Sequence, residues 1–227
     1  MTSVLLESEG DTRNRLTDAG LVVEPVISEG NQALSWTVRS RLGTVTVDDV
    51  SIFSFTARER AIFDVVSDGG FWERDVAASR RAVVVGGAGH VAQLVAERGF
   101  SVVEVVGTVE ARDAFSVVWD RPIFFVGESD DMVFADGTVG FDVYDFFGFH
   151  PGSAYVANQF KRSASRLCDD GVMVFAIDRM EFDTDSLTEG AIESVLERGR
   201  SGDSGFESVT WRHNMGEDSV LVGILRR

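Results

Sequence analysis

A cluster of glycines near the middle of the chain could bind a ligand through its backbone. Gly86, Gly87 and Gly89 directly follow the apolar run 82–85, and a stretch with helical periodicity opens at His90. Glycine lets the backbone reverse sharply and a ligand come close, and the first amides of the following helix can bind an anion or a polar group. The spacing therefore predicts a ligand-binding turn between a buried strand and a helix.

Two classes of cofactor are compatible with this turn. The segment Gly87–Ala92 matches the G-x-G-x-x-A fingerprint of dinucleotide-binding proteins, which favours NAD and an oxidoreductase or an NAD-binding regulator. The same short segment resembles the nucleotide-binding turn of the XdhC family of molybdoenzyme maturation factors. The other class comprises nucleosides that carry a sulfonium group. Segments further along the chain resemble proteins that bind such nucleosides, as described below.

Acidic residues stand within or after the predicted strands that follow the turn. Glu104 lies inside the apolar run 101–106, where an unpaired carboxylate would cost on the order of several kcal/mol. We therefore expect Glu104 to have a hydrogen-bond partner, unless it lies at an exposed strand end. Asp136 and Gly137 have the composition of a turn, in which the Asp could accept a hydrogen bond from a base or simply stabilise the turn.

The segment after the next strand carries the candidate base and a candidate substrate pocket. Asp145 follows the predicted strand 141–144, at the edge where ligands of α/β sheets bind, and could deprotonate an amine or hydroxyl nucleophile. A helix-capping or solvent-exposed Asp is the alternative. Phe147 and His150 lie in the loop that follows, and the aromatic side chains there could wall a substrate pocket or simply pack on the core.

The three histidines are scattered and Cys168 is the single cysteine, so the sequence predicts neither a metal site nor an internal disulfide.

Two sets of elements would position these residues. Residues 32–55 alternate in the manner of a β-meander, and Thr56 and Glu59 have the spacing of a capping box at the start of a helix that ends near Gly69. We therefore predict a small β-rich N-terminal domain over residues 1–78 and a nucleoside-binding domain over residues 79–227. The predicted strands of the second domain are 82–85, 101–106, 123–126, 141–144, 172–177, 206–211 and 220–225, with helices at 90–98, 155–167 and 188–198.

The resulting fold class is α/β, a Rossmann-like and mostly parallel sheet with an antiparallel C-terminal hairpin. Residues 141–145, the helix after them and residues 167–175 resemble the fourth strand, the helix, the L-x-P-G-G turn and the fifth strand of class I S-adenosylmethionine-dependent methyltransferases. The closing hairpin agrees with the seven-stranded sheet of that superfold. The resemblance implies transfer of an alkyl group from a sulfonium cofactor to a small nucleophile.

Within this superfold the chain resembles the spermidine synthase, or polyamine aminopropyltransferase, family. In the N-terminal part, residues 47–49 and 56–59 are similar to the LDG and T-E-R-D-E motifs of the family. Residues 86–91 are similar to its glycine motif GGGDGG, and residues 103–106 to its VEVD motif. Residues 135–137 are similar to its adenine turn, and residues 141–154 to its YDVIIxDxxDPxGPA loop. The resemblance implies that Glu104 binds the ribose hydroxyls and that Asp136 and Gly137 contact adenine. It also implies that the glycine turn holds the tail of S-adenosylmethionine or decarboxylated S-adenosylmethionine.

The sequence departs from the family pattern at three positions. Gly89 stands where the family has an Asp for the amino group of the cofactor, Val106 follows the ribose Glu in place of an Asp, and His150 replaces the second loop Asp. A cationic polyamine needs several converging carboxylates, so these changes leave open whether the transferred group is aminopropyl or methyl. A non-catalytic binding module that kept the fold is a further alternative.

The composition bounds the partners of the protein. Its 227 residues carry a formal charge of −16, which argues against a phosphate-binding surface for DNA or RNA. Lys161 is the single lysine, and this acidic, lysine-poor composition resembles that of proteins from halophilic microbes, whose cytosol screens the self-repulsion. The sequence suggests no targeting segment and no membrane span. We therefore expect a cytoplasmic protein with a small-molecule substrate, and the resemblance implies a homodimer.

Overall fold

The computed structural model describes residues 7–27, 33–72, 81–106, 108–120, 123–126, 137–142, 167–178, 208–213 and 220–226. The predicted helices 155–167 and 188–198 lie outside these residues, apart from Leu167, which is in a strand. None of the described helices is both long and apolar enough to cross a membrane.

The first elements form a three-stranded antiparallel sheet with a helix before it. They are helix α1 (Glu9–Asp18) and strands β1 (Val22–Ile27), β2 (Ala33–Ser40) and β3 (Gly43–Val47), in the order β1-β2-β3. The β-meander predicted over residues 32–55 is wrong at its C-terminal end, because Val50–Phe53 form one turn of 3₁₀-helix instead of a strand. The side chain of Asp49 caps this turn by accepting a hydrogen bond from the Ser51 amide at 2.8 Å.

Two helices connect this small sheet to the large one. Helix α2 (Ala57–Ser67) begins after Thr56, whose hydroxyl accepts a hydrogen bond from the Glu59 amide at 3.1 Å, and the short helix α3 (Gly69–Trp72) follows it. The second sheet comprises β4 (Arg81–Val85), β5 (Ser101–Val106), β6 (Ile123–Val126), β7 (Gly137–Asp142), β8 (Leu167–Asp178), β9 (Ser208–His213) and β10 (Val220–Arg226), with helices α4 (His90–Glu97) after β4 and α5 (Val109–Val118) after β5.

The described strands of this sheet lie in the order β6-β5-β4-β7-β8-β10-β9. Strands β4 to β8 pair in parallel, whereas β10 pairs antiparallel with both β8 and β9. The predicted α/β class with an antiparallel closing hairpin is confirmed. Residues 167–171, predicted as a turn, belong instead to β8, although the register against β7 shifts in this stretch. Gly137, predicted in a turn, is the first residue of β7.

Among the described residues, two buried clusters hold these elements together. In the first, α2 packs through Ala61, Ile62 and Val66 against α4 and the large sheet. In the second, residues of the small sheet pack over Ala88 and Val106, at the carboxyl ends of β4 and β5. The small sheet therefore covers part of the edge at which ligands of such sheets bind. The domain boundary at 78/79 stays a prediction, and α2, which precedes it, packs on the large sheet.

Candidate active site

The glycine turn follows β4 with its backbone in the left-handed region at three positions. The φ angles are +76° at Gly86, +83° at Gly87 and +90° at Gly89. Residues with a Cβ rarely adopt this conformation, so the turn depends on glycine. Gly89 is also the residue that caps α4, and the first amides of the helix therefore point into the turn.

A carboxylate from α2 binds the turn. Both oxygens of Glu59 accept hydrogen bonds of 2.9 Å, Oε2 from the Ala88 amide and Oε1 from the His90 amide. Glu59 is 1% exposed, so these bonds are formed away from water. The spacing from Thr56 predicted a capping box, and only the bond accepted by Thr56 forms as expected; the Glu59 side chain reaches the turn instead.

His90 lies against this carboxylate and within an aromatic cluster. Its Nδ1 is 3.2 Å from Oε2 of Glu59, an ion-pair distance, without the alignment of a hydrogen bond. The imidazole stacks on the ring of Phe55, with centroids 3.6 Å apart, and meets the Trp119 ring edge-on at 5.3 Å. His90 is 6% exposed, and its Nε2 has no hydrogen-bond partner among the described residues.

The indole of Trp119 covers Gly89. Its Nε1 donates a 2.9 Å hydrogen bond to the carbonyl of Ala88. A Cβ atom built on Gly89 would overlap that nitrogen, so the ring lies directly against the glycine backbone. Position 89 therefore requires glycine for two reasons: its φ angle is positive, and the Trp119 ring packs directly on its backbone.

A cleft of about 560 Å³ lies beside Trp119, between α1, the β2–β3 turn and α4. Arg15, Arg41, Gln93 and Asp120 line it together with Trp119. Both arginines are already paired, Arg15 with Glu7 at 3.0 Å and Arg41 with Asp120. Within the described residues, no group of three or more His, Cys, Asp or Glu side chains could hold a metal ion.

The structure brings together only some of the residues predicted from the sequence. The three glycines form the turn, and Glu104 lies on the adjacent strand β5, in register with Val84 of β4 and Phe124 of β6. Gly137 begins β7, which pairs with β4 on its other side. Asp136, Asp145, Phe147 and His150 lie outside the described residues, so their roles stay predictions.

Glu59 and Trp119 are contacts of the turn that sequence reasoning missed. The one signal at Glu59 was its spacing from Thr56, which is explained by helix capping alone. Trp119 follows the end of α5 and belongs to no motif. Both side chains reach the turn from about thirty residues away in sequence, which no local pattern reveals.

Comparisons with known proteins identify the fold. No protein-family model and no curated protein matches the chain. Among solved structures, it is similar to the mitomycin 7-O-methyltransferase MmcR, with a TM-score of 0.53 and 16% identity over 79% of this chain and 55% of that one. An O-methyltransferase family protein from Burkholderia thailandensis gives a TM-score of 0.50 and 15% identity over 74% and 55%.

A protein from Streptococcus mutans assigned as a S-adenosylmethionine-dependent methyltransferase gives a TM-score of 0.52 and 10% identity over 86% and 56%. The chain therefore spans little more than half the length of these three proteins. At such identities the likeness shows the fold. Together with the strand order of the large sheet, it shows that the chain has the fold of class I S-adenosylmethionine-dependent methyltransferases.

Proposed function

We propose that the protein binds an adenosyl sulfonium nucleoside, S-adenosylmethionine or its decarboxylated form, and transfers an alkyl group from it to a small nucleophile. The fold supports this proposal, because the glycine turn follows the central strand β4 and the strand that carries Glu104 lies directly beside it. Ligands of open α/β sheets bind at this edge. The methyltransferases of similar fold are also consistent with it.

The observation that carries the choice of cofactor is the buried carboxylate of Glu59. A dinucleotide would place its diphosphate on the first amides of α4, yet the amides of Ala88 and His90 already bind that carboxylate. Two like unit charges 4 Å apart repel by about 4 kcal/mol at an effective dielectric constant of 20. A sulfonium is a cation and would instead be attracted, so the turn favours an adenosyl sulfonium over NAD. The carboxylate of S-adenosylmethionine, which the decarboxylated form lacks, would have to lie away from these two amides.

Each of the predicted site residues has a part in this proposal. A bound sulfonium supplies an alkyl group that is already activated, so the protein contributes mainly alignment of the nucleophile. Glu104 binds the ribose hydroxyls, and Asp136 and Gly137 bind adenine. Asp145 accepts the proton of the nucleophile, beside a substrate pocket formed by Phe147 and His150. The transferred group is aminopropyl, as in spermidine synthases, or methyl.

A second candidate is a binding or assembly module that kept the fold without catalysis. The observation that favours it is that side chains of the protein already occupy part of the glycine turn. Trp119 lies on Gly89, and Glu59 occupies two of the amides, so this part of the turn contacts groups of the protein itself. A nucleoside that touches Gly89 would have to displace the indole.

Calorimetric titration in molar salt distinguishes the candidates. The ligands are S-adenosylmethionine, its decarboxylated form, the corresponding thioether products and NAD. We expect binding of at least one sulfonium nucleoside and no binding of NAD. Binding of NAD alone would refute the proposal in favour of an oxidoreductase or regulator. Binding of none of them, together with a stable protein partner in pull-down experiments, would favour the non-catalytic module.

A further inference from the structure

The Glu59 carboxylate binds the glycine turn where an external anion would bind. His90 is the first residue of α4, so the amides that Glu59 contacts lie at the positive end of the helix dipole. The buried contacts of α2 with α4 and the large sheet fix the position of Glu59. The carboxylate is thus a ligand of the turn that the chain itself supplies.

We propose that Glu59 is a specificity-determining residue of the turn. As a built-in anion it holds the backbone of residues 86–90 in shape and prevents a ligand phosphate or carboxylate from binding the same amides. Both of its oxygens are used, and charge-assisted hydrogen bonds to backbone amides are stronger than neutral ones. This role applies to any anion, and it holds whichever nucleoside the protein binds.

The surroundings of His90 provide a second, independent observation. The imidazole is more than nine-tenths buried, its Nδ1 faces Glu59 at 3.2 Å, and neither ring nitrogen forms a hydrogen bond with a described residue. Removal of the Glu59 side chain would therefore leave two amides and an imidazole facing a space of about the size of a carboxylate. Such a space, with two amide donors and an imidazole that can donate a third hydrogen bond, fits a small oxyanion.

Chemical rescue tests whether Glu59 holds the turn. The variants are Glu59→Ala and, as a matched control, Glu97→Ala, whose carboxylate lies on the exposed side of α4 and bonds Gln93. Thermal unfolding is followed while sodium formate replaces sodium chloride at constant molar ionic strength. We expect the Tm of Glu59→Ala to be lowered in chloride and to rise saturably with formate, whereas the wild type and Glu97→Ala respond equally and weakly. An equal response of all three would overturn the proposal.

Titration with inorganic phosphate tests the exclusion of anions. We expect phosphate to bind Glu59→Ala about tenfold or more tightly than the wild type, because the two amides are free in the variant. Equal phosphate affinity would refute the selectivity. Neither measurement uses a nucleoside, so failure here is distinct from failure of the proposed cofactor.

If Glu59→Ala does not fold, Glu59→Gln serves in its place. The Gln side chain has nearly the same size, but it carries no charge and can place an amide group against the turn. We expect the amides of residues 88–90 to exchange with deuterium faster than in the wild type, with the exchange of α5 unchanged. Unchanged exchange at residues 88–90 would overturn the role of the carboxylate in holding the turn.

Discussion

Replacing Gly89 with alanine should destabilise the protein more than the same change at a glycine with open space around it. The φ of +90° costs an alanine about 1–2 kcal/mol. The new methyl group would also overlap the indole of Trp119, and overpacking of this kind typically costs about 1–3 kcal/mol. We therefore expect Gly89→Ala to lower the free energy of unfolding by about 2–5 kcal/mol.

Gly20 offers a matched control. Its φ is +85°, nearly the same as that of Gly89, and a Cβ there would meet nothing within 4 Å. Gly20→Ala should thus cost only the backbone contribution of about 1–2 kcal/mol. For a domain of this size, each kcal/mol corresponds to about 2–4 °C in Tm, so thermal unfolding at fixed molar salt resolves the two variants.

A double-mutant cycle isolates the contact with the indole. Adding Trp119→Ala removes the ring that the new methyl group would meet. The cost of Gly89→Ala should then fall to about that of Gly20→Ala, with a coupling energy of about 1–3 kcal/mol. If Gly89→Ala costs no more than Gly20→Ala, or if the cost is the same with and without Trp119, the packing of the indole on the turn is refuted.

Three further predictions concern the nucleoside, the charge and a helix cap. Glu104→Ala should weaken nucleoside binding, measured by calorimetry, about 10–100-fold relative to the control Glu110→Ala, because hydrogen bonds to a charged group contribute about 1.5–3 kcal/mol. An unchanged affinity would show that Glu104 does not bind the ribose. The charge of −16 should make Tm rise with NaCl and level off near 1 M, where the Debye length is about 3 Å, and a flat profile would contradict this. Thr56→Ala should cost about 1 kcal/mol in urea unfolding by removing the cap of α2, compared with no change for exposed Ser67→Ala.

The architecture of the large sheet could be predicted because its signals are local. The β-branched run 82–85, the glycines after it and the spacing to the next apolar run predict a strand, a turn and a helix without any tertiary information. The closing hairpin was predicted from the two strand-like segments 206–211 and 220–225. These patterns reflect burial on both faces of the sheet, which the neighbouring strands then provide.

Sequence patterns gave the wrong secondary structure where tertiary contacts determine the local conformation. Residues 51–55 alternate like a strand, yet Val50 and Phe53 are both buried three residues apart, as one turn of 3₁₀-helix requires. Asp169 and Asp170 have turn composition, yet they lie within β8, in the stretch where its register against β7 shifts. The residues on either side, Leu167 and Val172, pair with Gly137 and Val139 of β7, so tertiary pairing around this stretch keeps it in the strand.

The candidate site was only partly predictable for the same reason. Glycine spacing marks a turn, since positive φ angles restrict the residue type. The carboxylate that binds this turn comes from a helix that precedes β4, and the ring that covers it comes from the end of α5. Sequence alone can state that a buried carboxylate needs partners, but not which distant amides provide them.

The position of β10 between β8 and β9 has a consequence for biosynthesis. Strand β10 follows both of its neighbours along the chain, so the edge of β8 stays unpaired while the intervening residues leave the ribosome. At ordinary elongation rates the roughly forty residues between β8 and β10 take on the order of a few seconds to synthesise. The sheet therefore closes only when β10 is available, and until then β8 has an unpaired edge at which another strand could bind.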